Sequence, residues 1–421
     1  MQVKISIPAF WATVTTAAFI PYMQTSPARR QELDDAAKDI WFPLQEVTLK
    51  NARIAEQYEA SVAGLVVGPG NDTTAFEKVS GEDWVEISPE GVISGAPVDG
   101  GEGAAEVTVR ATSESTSSAM LNIAITVRKS DEKLLDQVAV MSYNLWQGGA
   151  NVNNYHEKQV RFILESGADI IGLQESVDGG HAIRLAGALG WDVWASDKSA
   201  SILSRYPIVE QYTPTSEGGG VRINLNGNSE EKTEVNFWNA HLTAYPYGPY
   251  AFCHDNNSPE EVLEIEAQSG RTGQMTELVE AMAAQIANSD EIPVLLTGDM
   301  NAPSHLDYVE GLREKNCGVA SFDWPTSVLP QRAGLIDSYR VAHPDPVAVN
   351  GTTWSPIYPF SDGATGNPEP QDRIDFVYAT KQLEVTSSNT VVVGNPQPRP
   401  NEVDNEWTSD HAAVLTWFKL P

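Results

Sequence analysis

The chain of 421 residues has only two cysteines, Cys253 and Cys317, and few basic residues. Two thiols exclude a disulfide-rich scaffold and a multi-cysteine zinc site. Lys and Arg number 27 against 57 Asp and Glu, a formal charge of −30. That deficit argues against a general nucleic-acid binder, which needs a basic footprint to displace phosphate counterions. It leaves a nuclease open, because a bound metal can supply positive charge locally. No uninterrupted apolar stretch reaches the 18 or more residues of a membrane-spanning helix. Hydrophobic residues at 41% still suffice for a sizeable core, and the length predicts more than one domain.

The first segment, residues 1–30, carries Lys4, an apolar run from Ile5 to Met23 and then small residues before Arg29-Arg30. This order predicts a secretory signal and a secreted, extracellular protein. In that setting Cys253 and Cys317 would pair as one disulfide, with free buried thiols the alternative. Asn-x-Ser/Thr sequons at Asn71, Asn256 and Asn350 are compatible with the same setting.

Residues 38–128 read as all-β. Ala105–Thr112 and Leu121–Val127 alternate apolar and polar residues, the period of half-buried strands, and Gly and Pro punctuate the gaps. With the phrase from Ile87 to Pro97, this stretch resembles the immunoglobulin-like or cadherin-like β-sandwich domains of secreted proteins. The resemblance implies a spacer or adhesion module whose partner is unknown, and no catalytic cluster stands in it.

A polar link, Arg128–Lys133, leads into a different texture over residues 135–421. Val138–Asn144, Asp169–Glu175 and Ile292–Asp299 read as buried strands, while His156–Glu165 and Glu260–Ala287 carry helical patterns. Polar phrases sit at the ends of the apolar runs. They are Ser142-Tyr143-Asn144, Leu173-Gln174-Glu175, Asn239-Ala240-His241-Leu242, Gly298-Asp299-Met300-Asn301, Asp372-Arg373-Ile374-Asp375-Phe376 and Thr408-Ser409-Asp410-His411. Each phrase alone is weak; six in this order predict one shared mouth.

As an ordered set these phrases resemble the endonuclease/exonuclease/phosphatase superfamily, which includes deoxyribonuclease I. The resemblance covers roughly Gln137 to Leu420. It implies an α/β (α+β) four-layer sandwich of two mainly antiparallel sheets flanked by helices, here behind the N-terminal all-β sandwich. It also implies hydrolysis of phosphate esters by in-line water attack with a divalent metal, Mg2+ or Mn2+. By the same resemblance Glu175, Asn144 and Asp410 are the expected metal contacts. Asp299 would orient or deprotonate the attacking water, and Asn144 and Asn301 would hold phosphate oxygens. His411 would bind or protonate the phosphate, Asp375 would raise its pKa, and His241 would be a second phosphate-side histidine.

The chemistry of the residues agrees, since an anionic ester needs charge neutralisation and an aligned nucleophile, and magnesium prefers oxygen ligands. Asn301, two residues after Asp299, shares its face if the strand continues. Asp372 either serves the site or pairs with Arg373 or caps a turn, and Asp337 is expected to order a loop. Arg271 is expected at the leaving-group side. The tyrosines of Tyr245–Tyr250 are expected either to line the mouth or to pack their loop, and Thr352-Thr353-Trp354 to support the wall. The inositol phosphatase branch's Pro-x-Trp-Cys-Asp-Arg phrase is replaced by Gln371-Asp372-Arg373-Ile374-Asp375. The paired histidines favour a phosphodiesterase of nuclease or phospholipid type. A phosphomonoesterase acting on sugar or inositol phosphates, or an inactive binding protein, stays open.

Overall fold

The structure is a computed structural model that describes residues 18–20, 39–68, 73–114, 117–363 and 365–421. The signal reading of residues 1–30 therefore lies, apart from Ala18–Ile20, outside the described residues, as does Asn71.

Among the described residues, twelve strands of the larger region follow one another in the chain. They are β1 (Gln137–Asn144), β2 (Ile170–Gln174), β3 (Asp192–Ala195), β4 (Ser201–Ser204), β5 (Ile208–Gln211), β6 (Gly218–Asn224), β7 (Glu234–His241), β8 (Val294–Asp299), β9 (Leu335–Asp337), β10 (Asp375–Thr380), β11 (Glu384–Val393) and β12 (Ala413–Lys419). Ala18–Ile20, β11, β12, β1, β2, β4 and β3 form one sheet in that order; β5, β6, β7, β8, β10 and β9 form the other. Both sheets are mixed, and most neighbours are antiparallel. At the centre of each lies a parallel pair, β1 with β2 and β7 with β8.

Alternation along the strands explains the layering. Val138 and Val140 of β1 meet Phe237, Leu295 and Val377 of the second sheet in a shared core. Met141 and Tyr143 face the other way, in a cluster with Val160, Phe162 and Ile163 of α1 (Tyr155–Ser166) and Leu185 of α2 (Gly180–Leu189). Outside the second sheet, Met275, Leu278 and Met282 of a long helix cover Trp238, Leu296 and Phe376. The result is helices on both outer faces of two packed sheets.

The stretch expected as one helix over Glu260–Ala287 is two. After α3 (Gly248–Cys253), α4 (Pro259–Ser269) ends at Gly270 and α5 (Arg271–Ala287) begins beyond it. Gly270 has φ +86°, a conformation open to glycine and costly for other residues, so the helical pattern continues while the helix does not. Cys253 and Cys317 are bonded, with Cα atoms 5.0 Å apart across 64 residues. Asn256 and Asn350 are exposed.

The N-terminal region is all-β in the described residues. Glu46–Thr48, Ser118–Arg128, Gly103–Ser113 and Thr74–Gly81 form one sheet, and Tyr58–Ser61, Val92–Gly95 and Val85–Ile87 form a second. The two long strands alternate buried and open residues as their sequence predicts. This region is docked on the helical layer of the larger one. Its core residues are continuous with those of α1 and α2. A Cβ built on Gly64 would lie 2.1 Å from the Gly187 carbonyl oxygen of α2, so the Ala63–Leu65 turn sits against that helix with no room for a side chain. Arg53 donates to Asn226 Oδ1 and to its carbonyl, both at 2.9 Å. The link after Arg128 is pinned as well, with Arg128 bonded to the Lys133 carbonyl at 3.0 Å and to Asp136 at 2.9 Å.

Candidate active site

Strand direction gathers the polar phrases. β1 and β2 run parallel and end at Asn144 and just before Glu175; β7 and β8 run parallel and end at His241 and Asp299. β10 is antiparallel to β8, which sets its first residue, Asp375, opposite Asp299. β12 is antiparallel to β1, so the turn before it brings Asp410 and His411 to the same end. Asn144, Asp299, Asp375, Asp410 and His411 are all buried there, and His241 is partly open.

Asp299 is the hub. Its Oδ1 accepts the Asn301 backbone N–H at 2.9 Å, and its Oδ2 accepts the Asn144 side-chain amide at 2.9 Å. His241 Nε2 and His411 Nε2 flank Oδ2 at 3.6 and 3.7 Å. Burial pushes the Asp299 carboxyl above the usual carboxylate range, and the neighbouring His411 charge partly offsets this.

His411 donates from Nδ1 to Asp375 Oδ2 at 2.8 Å. Burial opposes a charge on the ring, but Asp375 and Asp299 outweigh it and hold His411 well above its ordinary value. Both carboxylates favour the charged imidazolium form of His411. Its backbone is fixed on both sides. The His411 N–H donates to Ser409 Oγ at 3.0 Å, Ser409 Oγ donates to the Asn144 carbonyl at 2.6 Å, and Trp407 Nε1 donates to the His411 carbonyl at 2.7 Å. Trp354 lies against the ring at 4.9 Å between centroids, and Thr353 Oγ1 accepts the Ile374 and Asp375 N–H groups. The expected wall function of the Thr-Thr-Trp phrase fits these contacts.

Glu175 follows β2 with φ +57°, which turns its side chain out of the strand register. Its Oε2 accepts the Gln147 N–H at 2.6 Å and its Oε1 faces the Asn144 amide at 3.3 Å. Asp410 Oδ1 is buried without a hydrogen-bond partner among the described residues. Burial and then, after the opposing pull of His411, the Glu175 charge push the Asp410 carboxyl up to about 8. Glu175 and Asp410 offer carboxylate oxygens, one of them buried without a hydrogen-bond partner and 3.8 Å from His411 Nε2, a donor set that suits a hard divalent ion such as magnesium. Asp299, Asp375 and His411 also offer one ligand atom each within 4.8 Å of one another, so this buried group could itself bind an ion. Asp375 Oδ1, like Asp410 Oδ1, is buried without a hydrogen-bond partner among the described residues; Glu175 and Asp410 differ in offering oxygen alone, the donor that magnesium prefers.

Some expectations need correction. Asn144 presents its NH2 group, not its oxygen, to the two carboxylates. Its Oδ1 accepts the Trp146 N–H at 2.9 Å, so its NH2 group is what faces Glu175 and Asp299. It is a donor that orients carboxylates. Asn301 does not continue the strand; β8 ends at Asp299 and Asn301 has φ +49°. Its side-chain amide donates to the Leu242 carbonyl at 2.9 Å, which uses one of its two N–H groups. Arg271 is fully buried and paired with buried Glu266, and it donates to the carbonyls of Thr243, Ala244 and Pro246. It holds the loop after His241 and touches no substrate space. Asp372 neither pairs with Arg373 nor caps a turn. It accepts the Tyr247 hydroxyl at 2.9 Å, while Arg373 points away to Asp307 and Asp337. Asp337 orders its loop as expected, capping the helix Ser338–Ala342. Among the loop tyrosines, Tyr247 and Tyr250 pack through Asp372 and Glu369, and Tyr245 stands 66% exposed.

Sequence reasoning missed Ser199, whose hydroxyl contacts both the Glu175 N–H and His241 Nδ1. It missed Thr297 and gave no role to Gln174 and Asn239, which with it form a hydrogen-bonded polar layer under the mouth. Polar residues inside apolar strand runs were the available signal.

The profile of the Endonuclease/Exonuclease/phosphatase family matches residues 141–411. An uncharacterized protein of Caenorhabditis elegans is 30% identical over 291 residues, which are 66% of this chain and 90% of the relative. Among solved structures, truncated TDP2 from Caenorhabditis elegans is 18% identical over 67% of this chain and 98% of its own, with a TM-score of 0.42. The 3'-5' exonuclease NExo from Neisseria meningitidis is also 18% identical, over 67% of this chain and 100% of its own, with a TM-score of 0.42.

Proposed function

Because the chain belongs to the endonuclease/exonuclease/phosphatase family, a family of phosphate-ester hydrolases, we propose that it is a secreted, divalent-metal-dependent phosphodiesterase. The observation that carries the reading is Asp299, a buried carboxylate set between two imidazoles and an amide where both sheets end.

A divalent ion at Glu175 and Asp410 would supply positive charge to the ester's oxygens and favour water as its hydroxide. The chain's own residues do the rest. Asp299, fixed by the Asn301 N–H and the Asn144 amide, takes the proton of the attacking water, and its raised carboxyl makes it a better base than an exposed aspartate. His411, kept charged by Asp375, holds the transferring phosphoryl group through Nε2–H. Asn301 offers its remaining amide N–H to the same group. His241, across Asp299 from His411, completes the donors on the other side. Two histidines around one carboxylate suit a diester, because one can hold the phosphoryl oxygens while the other gives its proton to the departing alkoxide.

Three points support secretion. The leader-like residues 1–30 are one; the Cys253–Cys317 bond and the exposure of Asn256 and Asn350 are the others. The region 38–128 is proposed as an immunoglobulin-like module and 135–421 as the catalytic domain. The test is hydrolysis of bis(p-nitrophenyl) phosphate beside p-nitrophenyl phosphate, with magnesium and with EDTA, by wild type and Asp299→Asn. Metal-dependent diester cleavage lost in the variant is expected. Cleavage of the monoester alone would replace the reading with a phosphomonoesterase.

A further inference from the structure

Two histidines flank Asp299, but they are held by different chemistry. His411 has a carboxylate at Nδ1, Asp375 at 2.8 Å. His241 has a hydroxyl there, Ser199 Oγ at 2.6 Å. The same oxygen lies 3.0 Å from the Glu175 backbone N–H, which can only donate. Ser199 Oγ thus accepts from Glu175 and has its own proton to give. The acceptor within reach is His241 Nδ1. The backbone around this contact is also tied, since the Ser176 N–H donates to the Ser199 carbonyl at 3.1 Å and the His241 N–H to the Glu217 carbonyl at 3.0 Å. Neither partner can drift to another rotamer without losing a bond.

We propose that Ser199 is a positioning residue that locks His241 as its Nε2–H tautomer and couples that orientation to Glu175. With Nδ1 occupied by the Ser199 proton, the ring N–H of the neutral form is on Nε2, the atom that faces Asp299 Oδ2 at 3.6 Å. His241 then acts as a fixed hydrogen-bond donor to a phosphoryl oxygen, and His411 is the charged member of the pair. The division follows from the partners, because a hydroxyl sets direction and a carboxylate also sets charge. Ser199 bonds both the residue after β2 and the last residue of β7, so it ties the candidate metal-side strand of one sheet to the phosphate-side strand of the other.

This inference rests on the phosphodiesterase reading, and its test separates the two. Ser199→Ala, Ser199→Thr, His241→Gln and the double variant Ser199→Ala/His241→Gln would be assayed on bis(p-nitrophenyl) phosphate at saturating magnesium. Ser199→Ala is expected to lower kcat by about 10–100-fold with KM nearly unchanged, and Ser199→Thr to recover most of the loss. The double variant is expected to be no slower than His241→Gln, because both changes remove one interaction. Additive losses would show that Ser199 serves only the Glu175 backbone and would overturn the proposal, as would wild-type activity in Ser199→Ala. Nitrogen-15 NMR of the histidine rings gives a readout without activity. In wild type the His241 signals, identified by their loss in His241→Gln, should report an unprotonated Nδ1 and a protonated Nε2, and Ser199→Ala should show a tautomer mixture. If wild type proves inactive on esters the functional reading fails, and the tautomer spectrum still decides the role of Ser199; a protonated Nδ1 in wild type overturns it.

Discussion

Replacing Arg271 by Ala separates a residue that binds substrate from one that holds the fold. Arg271 and Glu266 both have fully buried side chains. The guanidinium donates twice to Glu266, to the carbonyls of Thr243 and Ala244 at 2.8 and 3.1 Å, and to that of Pro246 at 2.7 Å. Truncation leaves a buried carboxylate without its cation and three carbonyls without donors. Burial already holds the Glu266 carboxyl above its usual range with Arg271 in place, so the lone acid would take up a proton at further cost. Breaking such a pair from one side typically costs about 3–5 kcal/mol. That is a large part of the roughly 5–15 kcal/mol that holds a domain folded. At about 2–4 °C per kcal/mol for a domain of this size, the melting temperature should fall by roughly 6–20 °C. Thermal melts followed by circular dichroism give the shift, and kinetics well below the melt give kcat and KM. A companion variant, Arg271→Met with Glu266→Leu, removes both charges and should melt closer to wild type than Arg271→Ala. An Arg271→Ala protein with the wild-type melt and a raised KM would refute this reasoning and return the residue to the substrate.

Other expectations follow from single contacts. Asp299→Asn should lower kcat by about 10²–10⁴-fold while the melt stays within a few degrees, the loss expected for a missing general base; a near-wild-type rate would remove Asp299 from the reaction. The charge on His411 depends on Asp375, and a histidine whose folded pKa is raised contributes fully below its unfolded value and loses that contribution as pH rises through the folded one. Asp375→Asn should therefore move the alkaline limb of kcat/KM to lower pH, which a pH–rate profile reads directly. Cys253 and Cys317 close a loop of 64 residues, so Cys253→Ser/Cys317→Ser should lower stability by up to about 4 kcal/mol on the loop-entropy account without changing kcat, measured by urea unfolding and steady-state rates. Gly64→Leu must part the Ala63–Leu65 turn from α2, because its Cβ already meets the Gly187 carbonyl, and protease sensitivity of the N-terminal region should rise.

The order of strand-end polar residues was legible because a strand's exit point is local information. Asn144, Glu175, His241 and Asp299 sit where an apolar run stops and Asp375 and His411 where one starts, and β-sheet pairing brings such ends together without further instruction. What could not be read were roles set by partners distant in sequence. Arg271 looks like a free cation beside a histidine-bearing loop until Glu266 and three carbonyls of residues 243–246 close around it. Asp372 and Arg373 look like a pair, yet each is claimed by a residue tens of positions away, Tyr247 for one and Asp307 with Asp337 for the other. Asn144 carries a metal ligand's chemistry in its oxygen, and the Trp146 N–H two residues on takes that oxygen. An amide has two faces, and only one can be turned to the site. The donor face is the one presented, so Asn144 keeps Glu175 and Asp299 aligned as neighbouring carboxylates without adding a third negative charge. That leaves Asp410, whose Oδ1 has no hydrogen-bond partner among the described residues, as the second oxygen an ion would need. Asp410→Asn should then weaken activation by magnesium more than Asn144→Asp does, a comparison that a magnesium titration of the two variants makes directly.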